Sequence, residues 1–269
     1  MIAHLLAAIA SALVFGVIVW QDGFQLSNDG RRYTGQWSHP PPFHRRFHHW
    51  TPRALRIATV LAFVVIGATF DDWRAAVMVA TCSGAIFCAS YLTVDAPAIA
   101  LAWTAALAWH ADGWWRALAI ILTFASGVLH ERGPVFAAVY AWHPILLIGL
   151  AGVAWDADTD PRDGDPYVGH PTIREAIKFH RDVKAQDLLD IKSVFIPLRS
   201  LVMAPAVFGA EPRTWAALAL AYASRILGTD PGRFMWWAAP PLAYDFAHRG
   251  GYYIPIALAL HIATMKRMP

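Results

Sequence analysis

Charge is scarce in this sequence. Of 269 residues only 15% are Asp, Glu, Lys or Arg, while 57% are hydrophobic, and the mean hydropathy is +0.39. A soluble domain carries about 25% charged and about 45–50% apolar residues, so this composition reads as an integral membrane protein. Cysteine is nearly absent. Cys82 and Cys88 lie in one apolar segment, and their i, i+6 spacing does not place them on one helical face, so they read as small buried hydrophobes rather than a disulfide or metal pair. The net charge is only +3, and no basic stripe with interleaved aromatics lies on a polar surface, which excludes nucleic acid as a partner. There is no β-barrel alternation, no internal repeat and no low-complexity linker. The first apolar run, "MIAHLLAAIASALVFGVIVW", has no positive n-region and continues past its small residues. It reads as a retained first helix rather than a cleaved signal peptide.

What is present is a series of apolar segments. They fall at roughly 1–20, 54–70, 73–92, 95–110, 114–130, 134–154, 195–210, 213–228, 232–246 and 251–265. A helix needs about 20 apolar residues to span a bilayer. The shorter segments are read as tilted, re-entrant or broken, which lipid tolerates only where protein or a cavity covers the backbone. The expected fold is all-α: one domain over 1–269, a polytopic transmembrane bundle of about 8–10 membrane segments.

Two polar stretches interrupt it, 21–53 and 156–192. The second opens with Asp156, Asp158, Asp160, Asp163 and Asp165. That spacing is like a calcium loop, but Tyr167 stands where the closing glutamate is required, so a solvated loop is the better reading. From Thr172 onward, Ile173, Ile177, Val183, Leu188 and Ile191 form an amphipathic interfacial helix. The first stretch holds "NDGRRYTGQWSHPPPFHRRFHHWTPR", with five arginines and four histidines. His44, His48 and His49 have a spacing that zinc accepts, yet no close carboxylate completes a motif, and interfacial packing beside Phe43, Phe47 and Trp50 is preferred. His4, His110, His143 and His261 read as helix-end or packed residues.

Charges beside membrane segments are costly and therefore functional candidates, although any single one is more simply a solvated or snorkelling side chain. The argument rests on the set. Asp29 and Tyr33 lie four apart, on one face if the loop begins a helix. Arg46 follows Pro42-Phe43, and Asp95 opens a helix in "TVDAP". His130, Glu131 and Arg132 precede Pro134 in "HERGP", and Asp230 and Arg233 lie three apart in "TDPGRF". Arginine at such positions suits a phosphate, because its planar fork makes bidentate hydrogen bonds. A nearby carboxylate suits a general base or a metal ligand.

In this order, Asp-x-x-x-Tyr, Pro-Phe-x-x-Arg, "TVDAPAIALAWTAALA", "GVLHERGPVFAAVYAWHP" and "GTDPGRFMWWAAPPL" resemble bacterial polyprenyl-phosphate-dependent glycosyltransferases of the GT-C superfamily. The resemblance touches four short stretches over about 28–245. It implies transfer of a sugar from a lipid-phosphate donor to an acceptor hydroxyl, with inversion, at the outer face of a bacterial-type plasma membrane. Carried over, Asp29 is the general base and Tyr33 orients it or the sugar. Arg46, Arg132 and Arg233 neutralise the departing phosphate, with Glu131 beside Arg132. Asp95 and Asp230 orient those arginines or hold a divalent ion. The one cofactor the resemblance leaves open is a divalent metal ion, whose requirement is in question because the paired acids common in the superfamily are replaced by Asn28-Asp29. The partners are the lipid-linked donor, membrane lipids, and a glycan, lipid or protein acceptor.

Topology is in conflict at this level. The family places 21–53 outside, whereas its arginines would place it inside by the positive-inside rule. Placing both Asp95 and Asp230 outside further requires one segment, such as 195–210, not to cross. Two other functions use the same residues: a transporter or flippase, and an inactive scaffold of the same fold.

Overall fold

The computed structural model describes residues 1–22, 51–91, 93–156, 197–202, 209–224, 231–249 and 251–265. Asp29, Tyr33, Arg46 and Asp230, the calcium-like spacing and the interfacial helix expected after Thr172 lie outside these residues. Every element described is helical: α1 (Ile2–Asp22), α2 (Pro52–Ala68), α3 (Trp73–Ala80), α4 (Ser83–Ser90), α5 (Asp95–His110), α6 (Trp115–Leu129) and α7 (Gly133–Ala141) come first. A 3₁₀ turn (Pro144–Gly149) leads to α8 (Leu150–Asp156), and a second 3₁₀ turn covers Arg199–Val202. Then come α9 (Pro212–Ser224), α10 (Pro231–Trp236), α11 (Ala239–Arg249) and, after the turn Gly251–Tyr253, α12 (Ile254–Met265).

Local chemistry explains the boundaries. Thr51 caps α2 by accepting from Ala54 N, and Pro52 sits where its missing N–H is no loss. Asp72 caps α3 through Arg74 N and forms a forked ion pair with the Arg74 guanidinium. Three expected segments are broken, two of spanning length and the short 232–246, for which a break is one of the readings. The segment 73–92 divides into α3 and α4, bent by 66°, where the Thr81 hydroxyl bonds back to Val77 O and Cys82 takes an extended conformation. The segment 134–154 ends α7 at Trp142, which has a left-handed backbone (φ 52°), before the 3₁₀ turn. The segment 232–246 divides at Trp237 and Ala238 into α10 and α11. Among the described residues one helix, α1, is long and apolar enough to cross a bilayer, and the bent pair α3–α4 would be a second if it is one broken span.

The core is built mostly from alanine and aromatic side chains. α1 and α2 pack antiparallel: His4 Nδ1 meets Ala68 O, Ser11 Oγ donates to Phe63 O, and Phe15 packs edge-on against Phe63. A β-carbon on Gly67 would lie 2.7 Å from Ser11 Cβ, so this close approach needs glycine. α2 and α5 run the same way: Trp103 Nε1, midway along α5, donates to Thr69 Oγ1 just past the end of α2, while Phe63, earlier in α2, packs on Trp236 beside the Asp95 end of α5. α5 and α6 form an antiparallel hairpin, tied by Ser126 Oγ donating to Ala98 O. α6 meets the 3₁₀ turn and α8 backbone to backbone: a β-carbon on Gly127 would collide with Gly149 O, and one on Gly152 with Phe124 O.

These directions give the bundle two ends. One gathers the start of α5, the end of α6, the start of α7, α10 and the start of α11. The ends of α1 and α2 that flank residues 23–50 point the same way. The other end gathers His110, the stacked and exposed Trp114–Trp115 pair, His143 against Trp109, and the ion pairs of Glu211 with Arg213 and Arg249.

Candidate functional site

The first end holds a buried polar cluster centred on Asp95, the first residue of α5 and fully buried. Its oxygens face three donors. Arg233 Nε lies 2.8 Å from Oδ2. His130 Nε2 lies 3.4 Å from Oδ1, and Trp237 Nε1 donates to the same oxygen at 3.4 Å. An unpaired carboxylate here would cost several kcal/mol, of order 3–5, and the cationic partner is what makes its burial tolerable.

Each partner is placed by its own element. Arg233 lies on the single-and-a-half turn of α10, and Trp237 follows that helix directly. Trp237 is fixed from behind: Tyr140 hydroxyl donates to its carbonyl, and its ring packs on Phe136 at 4.9 Å and edge-on to His130 at 5.4 Å. Trp236, its neighbour, donates to Val79 O and packs on Phe63, which ties the site to α3 and α2. His130 is the residue that closes α6, in an extended conformation, and Arg132 precedes α7. The Arg132 guanidinium sits 3.8 Å above the Phe234 ring, so Arg132 and Arg233 flank the same α10 segment. Glu131 is half-exposed, its Oε2 3.4 Å from His130 Nδ1.

Of the residues singled out in the sequence, the structure thus brings together Asp95, Glu131, Arg132 and Arg233, drawn from three separated stretches of chain. Asp95 is engaged by Arg233, His130 and Trp237, which suits orientation of an arginine better than capture of a divalent ion. Among the described residues no group of three or more His, Cys, Asp or Glu has metal-binding geometry. No role is assigned to His130, Phe234 or Trp237 from sequence alone. The signal available was local, since His130 and Trp237 stand inside the quoted "HERGP" and "RFMWW" stretches, but nothing local says that they meet.

A second buried polar group lies at the α3–α4 break. Arg199 is buried with a left-handed backbone, φ 53°. Ser200 Oγ lies 2.8 Å from His261 Nδ1, and both residues are buried. Cys82, at the break, donates its thiol to Met78 O, and Arg199 acts electrostatically on both Cys82 and His261. The packed state of His261 matches its expected role. His4, His110 and His143 are exposed, and Cys82 and Cys88 are buried free thiols.

Comparison with protein-family models, with curated proteins and with solved structures gives no match for this chain.

Proposed function

We propose that this chain is a multi-pass membrane glycosyltransferase of the GT-C kind, moving a sugar from a polyprenyl-phosphate donor to an acceptor hydroxyl. The observation that carries the reading is the meeting of Asp95, Arg132 and Arg233 at one end of the bundle. One guanidinium is enough to compensate the buried Asp95 carboxylate; a second, that of Arg132, beside it suits a lipid phosphate, because guanidinium groups neutralise charge as the phosphate departs. Asp95 engages Arg233 through its Nε, and a guanidinium is the group whose planar fork makes charge-assisted hydrogen bonds to a phosphate. Asp29 supplies the base from the loop that α1 and α2 flank, and single-step inversion needs no further nucleophile. Tyr33, Arg46 and Asp230 complete the site from the same reading.

Membrane embedding is supported by outward apolar stripes. Leu5, Leu6, Ile9, Leu13 and Val17 are exposed on α1, and Ile57, Leu61 and Val65 on α2. A face of that extent suits lipid rather than water. The exposed Trp114–Trp115 pair at the far end suits a membrane–water boundary. Short α5 and α6 then cross a locally thinned or tilted arrangement.

The test is direct. Membranes containing the protein are incubated with a panel of radiolabelled polyprenyl-phosphate sugars, and label transfer is followed. Transfer from at least one donor, lost in Arg233→Lys, is the expected result. No transfer from any donor, with the protein folded, ends the reading. A transporter is the second reading, favoured by one observation: α3–α4 is a broken pair with buried Arg199, Ser200 and His261 at the break, the arrangement that transporters use for substrate and ion sites. Donor uptake into vesicles without sugar transfer would select it.

A further inference from the structure

The proposal concerns His130, and its placement within a donor site rests on the glycosyltransferase reading. The ring is buried and has a different partner at each nitrogen. At Nε2 the partner is Asp95 Oδ1, 3.4 Å away, a group that in its ionised form can only accept. Nε2 must therefore carry the hydrogen. At Nδ1 the partner is the backbone amide of Arg132, 3.3 Å away, a group that can only donate. Nδ1 must therefore offer its lone pair. One tautomer satisfies both, the ring protonated on Nε2 alone. Glu131 Oε2 also lies 3.4 Å from Nδ1, but a carboxylate can engage that nitrogen only if it too carries a hydrogen, which would cost the Arg132 amide its acceptor.

The same residue ends one helix and begins the next. The first N–H groups of a helix have no partner within it. At the start of α7, the Arg132 amide is met by His130 Nδ1 and the Gly133 amide by His130 O at 3.0 Å. Pro134 has no N–H to satisfy. His130 thus caps α7 with its ring and its carbonyl while its other nitrogen reaches the Asp95–Arg233 pair. A β-carbon on Gly133 would run into Ser126 Oγ, so the turn has no slack.

We propose that His130 is the positioning residue of this site, protonated on Nε2 alone, fixing the Arg132 guanidinium relative to the Arg233 guanidinium by bridging the Arg132 amide to Asp95. A phosphate held between two arginines feels their spacing directly, and a misplacement of about 1 Å can cost about 10²-fold. The charges around the ring are Asp95 from α5, Glu131 and Arg132 from the turn, and Arg233 from α10. Two are negative and two positive.

The test uses the full chain in lipid nanodiscs with ¹⁵N-labelled histidine, the His130 signals being identified by their loss in His130→Gln. The ring nitrogen shifts report which nitrogen carries hydrogen. Protonation on Nε2 alone is expected, and Asp95→Asn should mix the tautomers, because an amide can present either a donor or an acceptor to Nε2. A ring protonated on Nδ1 alone, or on both nitrogens at neutral pH, would overturn the proposal. Two variants separate its jobs. His130→Asn keeps an acceptor near the Arg132 amide but is too short for Asp95, and His130→Gln keeps a donor that can reach Asp95 but loses the cap. Each should weaken binding of farnesyl phosphate by roughly tenfold or more, with unfolding temperature monitored in parallel. Binding unchanged in both folded variants would show that the bridge positions nothing. If the wild type does not bind farnesyl phosphate, donor recognition fails as a reading, and the tautomer still decides whether His130 bridges Asp95 to the turn.

Discussion

At the scale of single residues, Asp95 dominates. It is fully buried and its nearest cation, Arg233 Nε, is 2.8 Å away. Asp95→Asn leaves the partly buried Arg233 without its counter-charge, which should cost about 3 kcal/mol, read as a large fall in unfolding temperature in detergent. Asp95→Asn combined with Arg233→Gln should recover part of that loss, because residues in one ion pair are not additive. Arg132 makes a different prediction. Its guanidinium stacks on Phe234, and Arg132→Lys keeps the charge but loses the planar fork and much of the stacking. Donor use should drop while the fold survives. If Arg132→Lys and Arg233→Lys both use donor like the parent, phosphate recognition lies elsewhere. Asp29 is tested by substitution too. Asp29→Asn should lower turnover by about 10²–10⁴-fold with donor binding retained, and the reverse pattern, normal turnover in Asp29→Asn and loss in Asp22→Asn, would move the base to Asp22.

At the scale of elements, glycine decides where helices touch. α6 meets α8 through Gly152, where a β-carbon would strike Phe124 O, and through Gly127 against Gly149. Helices in lipid associate by such close approach of small residues, since apolar side chains gain little by leaving lipid tails. Gly152→Val should therefore destabilise the protein by about 1–3 kcal/mol, measured by thermal unfolding, whereas Gly16→Val, at a position with open space around it on α1, should be nearly silent. The helical class was readable from local sequence, and so was the start of α5 at Asp95. Thr51-Pro52, Asp72 and Asp95 mark starts through capping, missing N–H groups and charge at an N-terminus, and these are interactions within a few residues. The interruptions were not readable. "WRAAVMVATCSGAIFCAS" is evenly apolar, and nothing in its composition announces a 66° bend. The bend is decided by what packs against Thr81 and Cys82.

At the scale of the whole molecule, the two ends of the bundle make a topological prediction. α1 and α2 pack antiparallel, so the loop between them leaves from the end that carries Asp95 and His130. Thr93 and Gly133 are buried, so labelling is better placed at exposed Glu131 and, at the far end, at exposed Asp112. In a background lacking Cys82 and Cys88, single cysteines at positions 38 and 131 should react with an impermeant thiol reagent from one side of sealed vesicles, and one at position 112 from the other. Reaction of positions 38 and 131 from opposite sides would end the single-site reading, however well the arginines converge.

A chain of helices with a greasy exterior was legible before folding, because apolar composition and capping act locally and need no knowledge of the rest of the chain. Asp95, Glu131, Arg132 and Arg233 were likewise legible as charges out of place. Which group answers which charge is settled by packing. Trp237 reaches Asp95 across 142 residues of sequence, and His130, noted in the sequence only as a helix-end residue, stands between that carboxylate and the Arg132 amide. A buried charge must be compensated by some partner, and that requirement is legible in a sequence. The partner's identity depends on which helix ends the packing brings to one level, and close contacts between alanine and glycine faces set that level.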